Sequence, residues 1–208
     1  MVKKKVLCFG DSNTWGYIPN TPHHRYDEDT RWTRLLSKSL EDYEIIEEGL
    51  CSRTLFSNDP RPDKAGKRGI DYLKPCLDTH DKIDIVVFSV GTNELADWYD
   101  HTMEDVLEMV KKCLSIITSF VNWDGSKVKL VVGGLPLIDG KRVTNDAKFS
   151  HAEEKSKRLN FLIKDYCGKN SIPYIDNDDL KVGDDGVHYT AESHKKVYER
   201  LLRTIKEL

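Results

Sequence analysis

Three groups of residues have types and spacings suited to nucleophilic chemistry on a carbonyl. Near the N-terminus the apolar run Val6 to Phe9 stops at Gly10-Asp11-Ser12-Asn13-Thr14-Trp15-Gly16. A serine hydroxyl is a weak nucleophile unless a base takes its proton, and a histidine base works best when a carboxylate fixes its tautomer and steadies the imidazolium. Far downstream, Asp184-Asp185-Gly186-Val187-His188-Tyr189 offers both partners. Asp185 and His188 are three residues apart, so one tight turn can present both, and Ser12, His188 and Asp185 would then act as nucleophile, base and orienting acid. A tetrahedral oxyanion also needs preorganised donors, each worth roughly 10²–10³-fold in rate. The candidates are the backbone N–H of Ser12, the backbone N–H of Gly49 and the side-chain amide of Asn93. Glycine at 49 would admit close approach of backbone to a ligand.

Each residue also has a plainer reading. Serine after a strand commonly caps a helix, and Gly49 and Asn93 are turn residues by type. Asp11 adjoins Ser12 and cannot readily point the same way, so it reads as an orienting or capping residue. Trp15, three residues beyond Ser12, reads as a wall of the substrate pocket. Arg53, Asp59 and Arg61 read as a solvated or ion-paired loop. His23-His24 has no cysteine or carboxylate at ligand spacing, so no metal is expected. Of the two neighbouring acids, Asp184 and Asp185, either has the reach to contact an imidazole.

Something must carry these residues to one place. Five short runs rich in β-branched or large apolar residues recur, over residues 5–9, 43–47, 83–90, 127–133 and 172–175. Several are continuous rather than alternating, as in parallel strands covered on both faces. Between them lie helical spacings: Leu35, Leu36 and Leu40; Val106, Val110, Cys113 and Ile117; Leu159, Leu162, Ile163 and Tyr166; and Val197, Leu201 and Ile205. Alternating strands and helices predict an α/β fold with a five-stranded parallel sheet and helices on both faces. Ligands bind such sheets beyond the carboxyl ends of the strands, where Ser12, Gly49, Asn93 and the Asp185–His188 loop would all fall.

The 208 residues suit one domain over 1–208. A net charge of −3, with basic residues spread along the chain, gives no electrostatic case for nucleic acid. The run Val6 to Phe9 is shorter than the ~7–15 apolar residues of a signal segment, and no stretch approaches the ~18 of a membrane span. The five cysteines are odd in number and widely spaced, as expected of free thiols in a cytoplasmic protein.

Taken in order, Gly10-Asp11-Ser12, Gly49, Gly91-x-Asn93 and Asp185-x-x-His188 resemble the four blocks of the SGNH hydrolases, the GDSL-type esterases and lipases, over residues 6 to about 192. The strings CFGDSNTWGY, EEGLCSRT and DGVHYT look most like the arylesterase and acyltransferase branch. The resemblance implies a flavodoxin-like three-layer α/β/α sandwich, hydrolysis of short acyl esters with some acyl transfer to alcohols, and no cofactor. It also implies Asp185 rather than Asp184 as the acid, and an expectation of homo-oligomers. Asn13 stands where the family name has leucine, and Glu94 where aspartate is common; neither replaces a catalytic group. A carbohydrate O-acetylesterase is the nearest alternative. A phosphate- or nucleotide-binding module is a more distant one: neither G-x-x-x-x-G-K-[ST] nor G-x-G-x-x-G follows the first strand, and such a module has no need of Asp185 and His188.

Overall fold

The computed structural model describes residues 3–143 and 149–208. Five strands form one sheet: β1 (Lys4–Gly10), β2 (Tyr43–Gly49), β3 (Ile85–Ser89), β4 (Lys129–Gly133) and β5 (Tyr174–Ile175). All neighbouring pairs are parallel, in the order β2-β1-β3-β4-β5. This is the flavodoxin-like order, whose direction reverses between β1 and β3 and opens a crevice at their carboxyl ends.

Side chains of β1 alternate between two cores. Leu7 and Phe9 join Val86, Phe88 and Val132 under α3 (Gly69–Thr79), α4 (Met103–Ser119) and α5 (Ala152–Lys169). Val6 and Cys8 join Ile85, Val87 and Val131 under α2 (Trp32–Ser39) and α6 (Ala191–Glu207). Burial on both faces explains why these strands read as continuous apolar runs. Burying such side chains contributes roughly 1.5–3 kcal/mol each relative to exposure.

Some boundaries differ from the sequence reading. The fifth strand shrinks to Tyr174 and Ile175, and α3 has no counterpart among the periodic segments noted above. Pro75 lies inside α3, where the missing N–H removes one helical bond and breaks the expected signal. The helix persists because Leu73, Cys76 and Leu77 are fully buried on one face. All five cysteines are unpaired and buried. Among the described residues no helix is long and apolar enough to cross a membrane.

Candidate active site

At the end of β1 the chain turns into a single helical turn, α1 (Ser12–Trp15). Asp11 caps it, its Oδ1 accepting the Asn13 N–H at 3.0 Å. Among the described residues the other oxygen of Asp11 is buried without a hydrogen-bond partner, and burial raises the carboxyl pKa above its ordinary value. Asp11 therefore supports the turn, as its position beside Ser12 led us to expect.

The loop before α6 closes on this turn from the other end of the chain. The Ser12 Oγ lies 2.9 Å from Nε2 of His188, and Nδ1 of His188 lies 2.7 Å from Oδ2 of Asp185. Asp185 Oδ1 accepts the backbone N–H groups of Val187 and His188, each at 3.0 Å, so the carboxylate is fixed by the turn it belongs to. Burial opposes ionisation of Asp185, but the hydrogen bond and charge of His188 outweigh it, and the pKa lies below the usual carboxylate range. Asp184 points to solvent and pairs with Arg142 at 3.7 Å.

Sequence reasoning missed what holds the two loops together. Asn13 donates from Nδ2 to the Val187 carbonyl at 3.3 Å and accepts the Tyr189 N–H at 2.8 Å. Its own carbonyl accepts the Trp32 indole N–H at 3.2 Å. Tyr17 then stacks on the His188 ring, with centroids 4.3 Å apart and planes 25° from parallel. The only sequence signal for Asn13 was its departure from the usual leucine. For Tyr17 it was membership of an aromatic-rich segment.

Asn93 stands on a 3-10 turn, Thr92–Leu95, after β3. One amide hydrogen goes to the Arg53 carbonyl at 2.9 Å, which leaves the second for a ligand. Glu94 locks this turn to the segment after β2. Its Oε1 accepts the N–H groups of Leu55, Phe56 and Ser57 at 2.6, 2.9 and 3.3 Å, and Oε2 accepts the Ser57 hydroxyl.

A cavity of about 230 Å³ contains Ser12, Asn93 and His188 on its wall. Cys51, Ser52, Tyr17, His23, Val187 and Phe149 complete much of it, with the cations Arg61 and Lys64. Arg61 is held bidentately by Asp59, at 2.8 and 2.6 Å, and Lys64 pairs with Asp63 at 2.6 Å. Two sequence-predicted residues stand elsewhere. Gly49 lines a separate hollow on the other side of the loop, and a Cβ there would lie 2.3 Å from the Trp15 nitrogen. Packing of α1 on β2 therefore already requires glycine at this position. Ser52, in the left-handed region at φ 65°, lines the cavity instead. Trp15 lies behind that wall, its ring 4.9 Å from that of His23 and 6.1 Å from that of Tyr17. Arg53, read as part of a solvated or ion-paired loop, is buried.

The family model of the GDSL-like lipase/acylhydrolase family matches residues 8–196, which include every member of this cluster. The chain belongs to that family. It is accordingly a carboxylic ester hydrolase of SGNH type. Among solved structures, this GDSL-family chain is similar to the M. smegmatis aryl esterase in its inhibitor-bound form, with 28% identity and a TM-score of 0.89 over 99% of each chain. It is also similar to Est24, a carbohydrate acetylesterase from Sinorhizobium meliloti, with 29% identity and a TM-score of 0.87 over 99% of each chain. A second carbohydrate acetylesterase family member from the same organism shares 26% identity at a TM-score of 0.87, over 98% of each chain. No curated protein sequence matches the chain significantly.

Proposed function

We propose that the chain hydrolyses short-chain acyl esters through a Ser-His-Asp triad and an acyl-enzyme. The observation that carries this is the continuous hydrogen-bonded line from Ser12 Oγ through both nitrogens of His188 to Asp185. Ser12 Oγ attacks the acyl carbonyl while its proton passes to Nε2 of His188, and ionised Asp185 steadies the imidazolium. Collapse of the tetrahedral intermediate expels the alcohol, which takes the proton from His188. Water activated by His188 then releases the acid, and an alcohol in place of water gives acyl transfer.

The Ser12 N–H and the free hydrogen of the Asn93 amide serve as oxyanion donors. We assign the third to the backbone at Ser52, because Ser52 shares the cavity with them and Gly49 does not. The cavity volume of about 230 Å³ suits a short acyl group. Acetylated carbohydrates form the second substrate class, favoured by the likeness to carbohydrate acetylesterases. A fluorophosphonate probe tests the reading: the adduct is expected on Ser12, lost in Ser12→Ala and strongly reduced in His188→Ala. A folded protein that neither labels nor cleaves short p-nitrophenyl esters would refute it.

A further inference from the structure

Asp185 holds His188 through Nδ1, and Asn13 holds the backbone on either side of it, at Val187 and Tyr189. Neither touches the face of the imidazole, so neither opposes its tilting off the line to Ser12 Oγ. Tyr17 does. Its ring lies against that of His188, with centroids 4.3 Å apart and planes 25° from parallel, and it is anchored at both ends. The Tyr17 N–H donates to the Ser12 carbonyl at 3.1 Å, alongside the Gly16 N–H at 2.9 Å. The Tyr17 hydroxyl donates to the Thr21 carbonyl at 2.7 Å and accepts the His23 N–H at 3.2 Å. The ring is thereby tied to the residue that carries the nucleophile.

The chain beyond Tyr17 keeps it there. It doubles back so that Tyr17 and Arg25 form an antiparallel bridge, and the His23 ring meets that of Tyr17 edge-on at 5.8 Å. Pro19 packs against the loop of His188 at Gly183, where a Cβ would lie 2.4 Å from Pro19 Cγ. The Gly183 N–H in turn donates to the His188 carbonyl at 2.8 Å. The 17–25 turn and the His188 loop therefore pack directly on each other.

We propose that Tyr17 is a positioning residue of the esterase: its ring holds the imidazole in line with Ser12 and favours the imidazolium over the neutral ring. The inference rests on the triad reading above. The proton moves from Ser12 Oγ to Nε2 of His188, and Tyr17 neither gives nor takes one. The face of a phenol ring is negative, so it attracts a cation laid over it, and a neutral imidazole gains far less. The contact is then stronger in the transition state, where His188 carries the proton, than in the ground state. That difference is what raises kcat.

Tyr17→Leu and Tyr17→Phe, compared with the wild type in p-nitrophenyl acetate hydrolysis across pH and in fluorophosphonate labelling, test this. Tyr17→Leu is expected to lower kcat about 5–30-fold with a smaller change in KM. It is also expected to move the acid limb of the kcat/KM profile to lower pH, because the imidazolium loses its π face. Tyr17→Phe keeps the face and is expected to retain kcat to within about threefold, with the wild-type acid limb. The charged and titratable groups around His188 are Asp185 on its own loop, Asp11 on the nucleophile turn, His194 on α6, and His23, Arg61 and Lys64 along the cavity; all three proteins share them. Wild-type kcat in Tyr17→Leu overturns the proposal. So does an unmoved acid limb, a change in KM alone, which would make Tyr17 only a wall of the cavity, or equal impairment of Tyr17→Phe. Circular dichroism checks folding, and if Tyr17→Leu does not fold, Tyr17→Met replaces it with the same expectations. A wild type that does not label at Ser12 refutes the triad reading and this inference with it; a labelled wild type whose rate Tyr17→Leu does not alter refutes this inference alone.

Discussion

Acidification from about pH 7 to about pH 5 is expected to remove about 2 kcal/mol of stability through one residue, His194. This histidine, on α6, is fully buried, and among the described residues neither ring nitrogen has a hydrogen-bond partner. Tyr26 and Tyr189 meet its ring edge-on, with centroids 5.2 and 5.8 Å away. Burial above all, then the charges of Arg31 and His188, pulls its pKa down to about 3 from the ordinary 6.5. The unfolded chain therefore binds a proton below about pH 6.5 that the folded chain refuses until about pH 3, and stability falls as pH falls through that window. At about pH 5 the unfolded state gains about 1.5 pK units of protonation free energy, or about 2 kcal/mol. The assay is urea unfolding of the wild type and of His194→Phe at several pH values. The other titrating groups are common to both proteins, so the difference between their unfolding free energies isolates His194. It is expected to shift in favour of the variant by about 2 kcal/mol on acidification. A difference that stays constant with pH refutes the reasoning.

Three further outcomes follow from the site. Asp185→Asn should leave the fold intact and lower kcat by about 10³–10⁴-fold, because the amide stabilises the wrong imidazole tautomer; steady-state kinetics with a p-nitrophenyl ester checks this. Asn13→Ala removes the two bonds that the Asn13 side chain makes to the loop of His188. It should cost about 1–3 kcal/mol in urea unfolding and also lower kcat. Gly49→Ala puts a methyl group against the backbone of Trp15 and should destabilise by about 1–3 kcal/mol or more, read as a lowered thermal midpoint.

The parts of the site most legible in the sequence were those carried by short motifs. Asp185 and His188 lie within one turn, so their spacing alone allowed the contact, and Ser12 followed an apolar run that could only be a buried strand. Asn93 was legible as the residue just past β3. The rest depended on contacts between distant segments. Gly49 has no room for a side chain beside Trp15, and no local pattern tells a glycine needed for packing from one needed for binding. Ser52 reaches the cavity because the chain bends after β2 through a left-handed residue. Asn13 bonds Val187 and Tyr189 on a loop at the far end of the chain, a pairing invisible until the sheet is assembled. The same gap hid α3, where Pro75 masked a helix that tertiary burial sustains.

The separation between Ser12 and His188, 176 residues along the chain, also bears on biosynthesis. On the proposed mechanism the nucleophile leaves the ribosome 176 residues ahead of its base, so a nascent chain carries an inert serine over that whole interval. Reaction with a serine-directed probe would then count folded molecules that include His188, and any fragment arrested before residue 188 would be silent however well its first strands had paired.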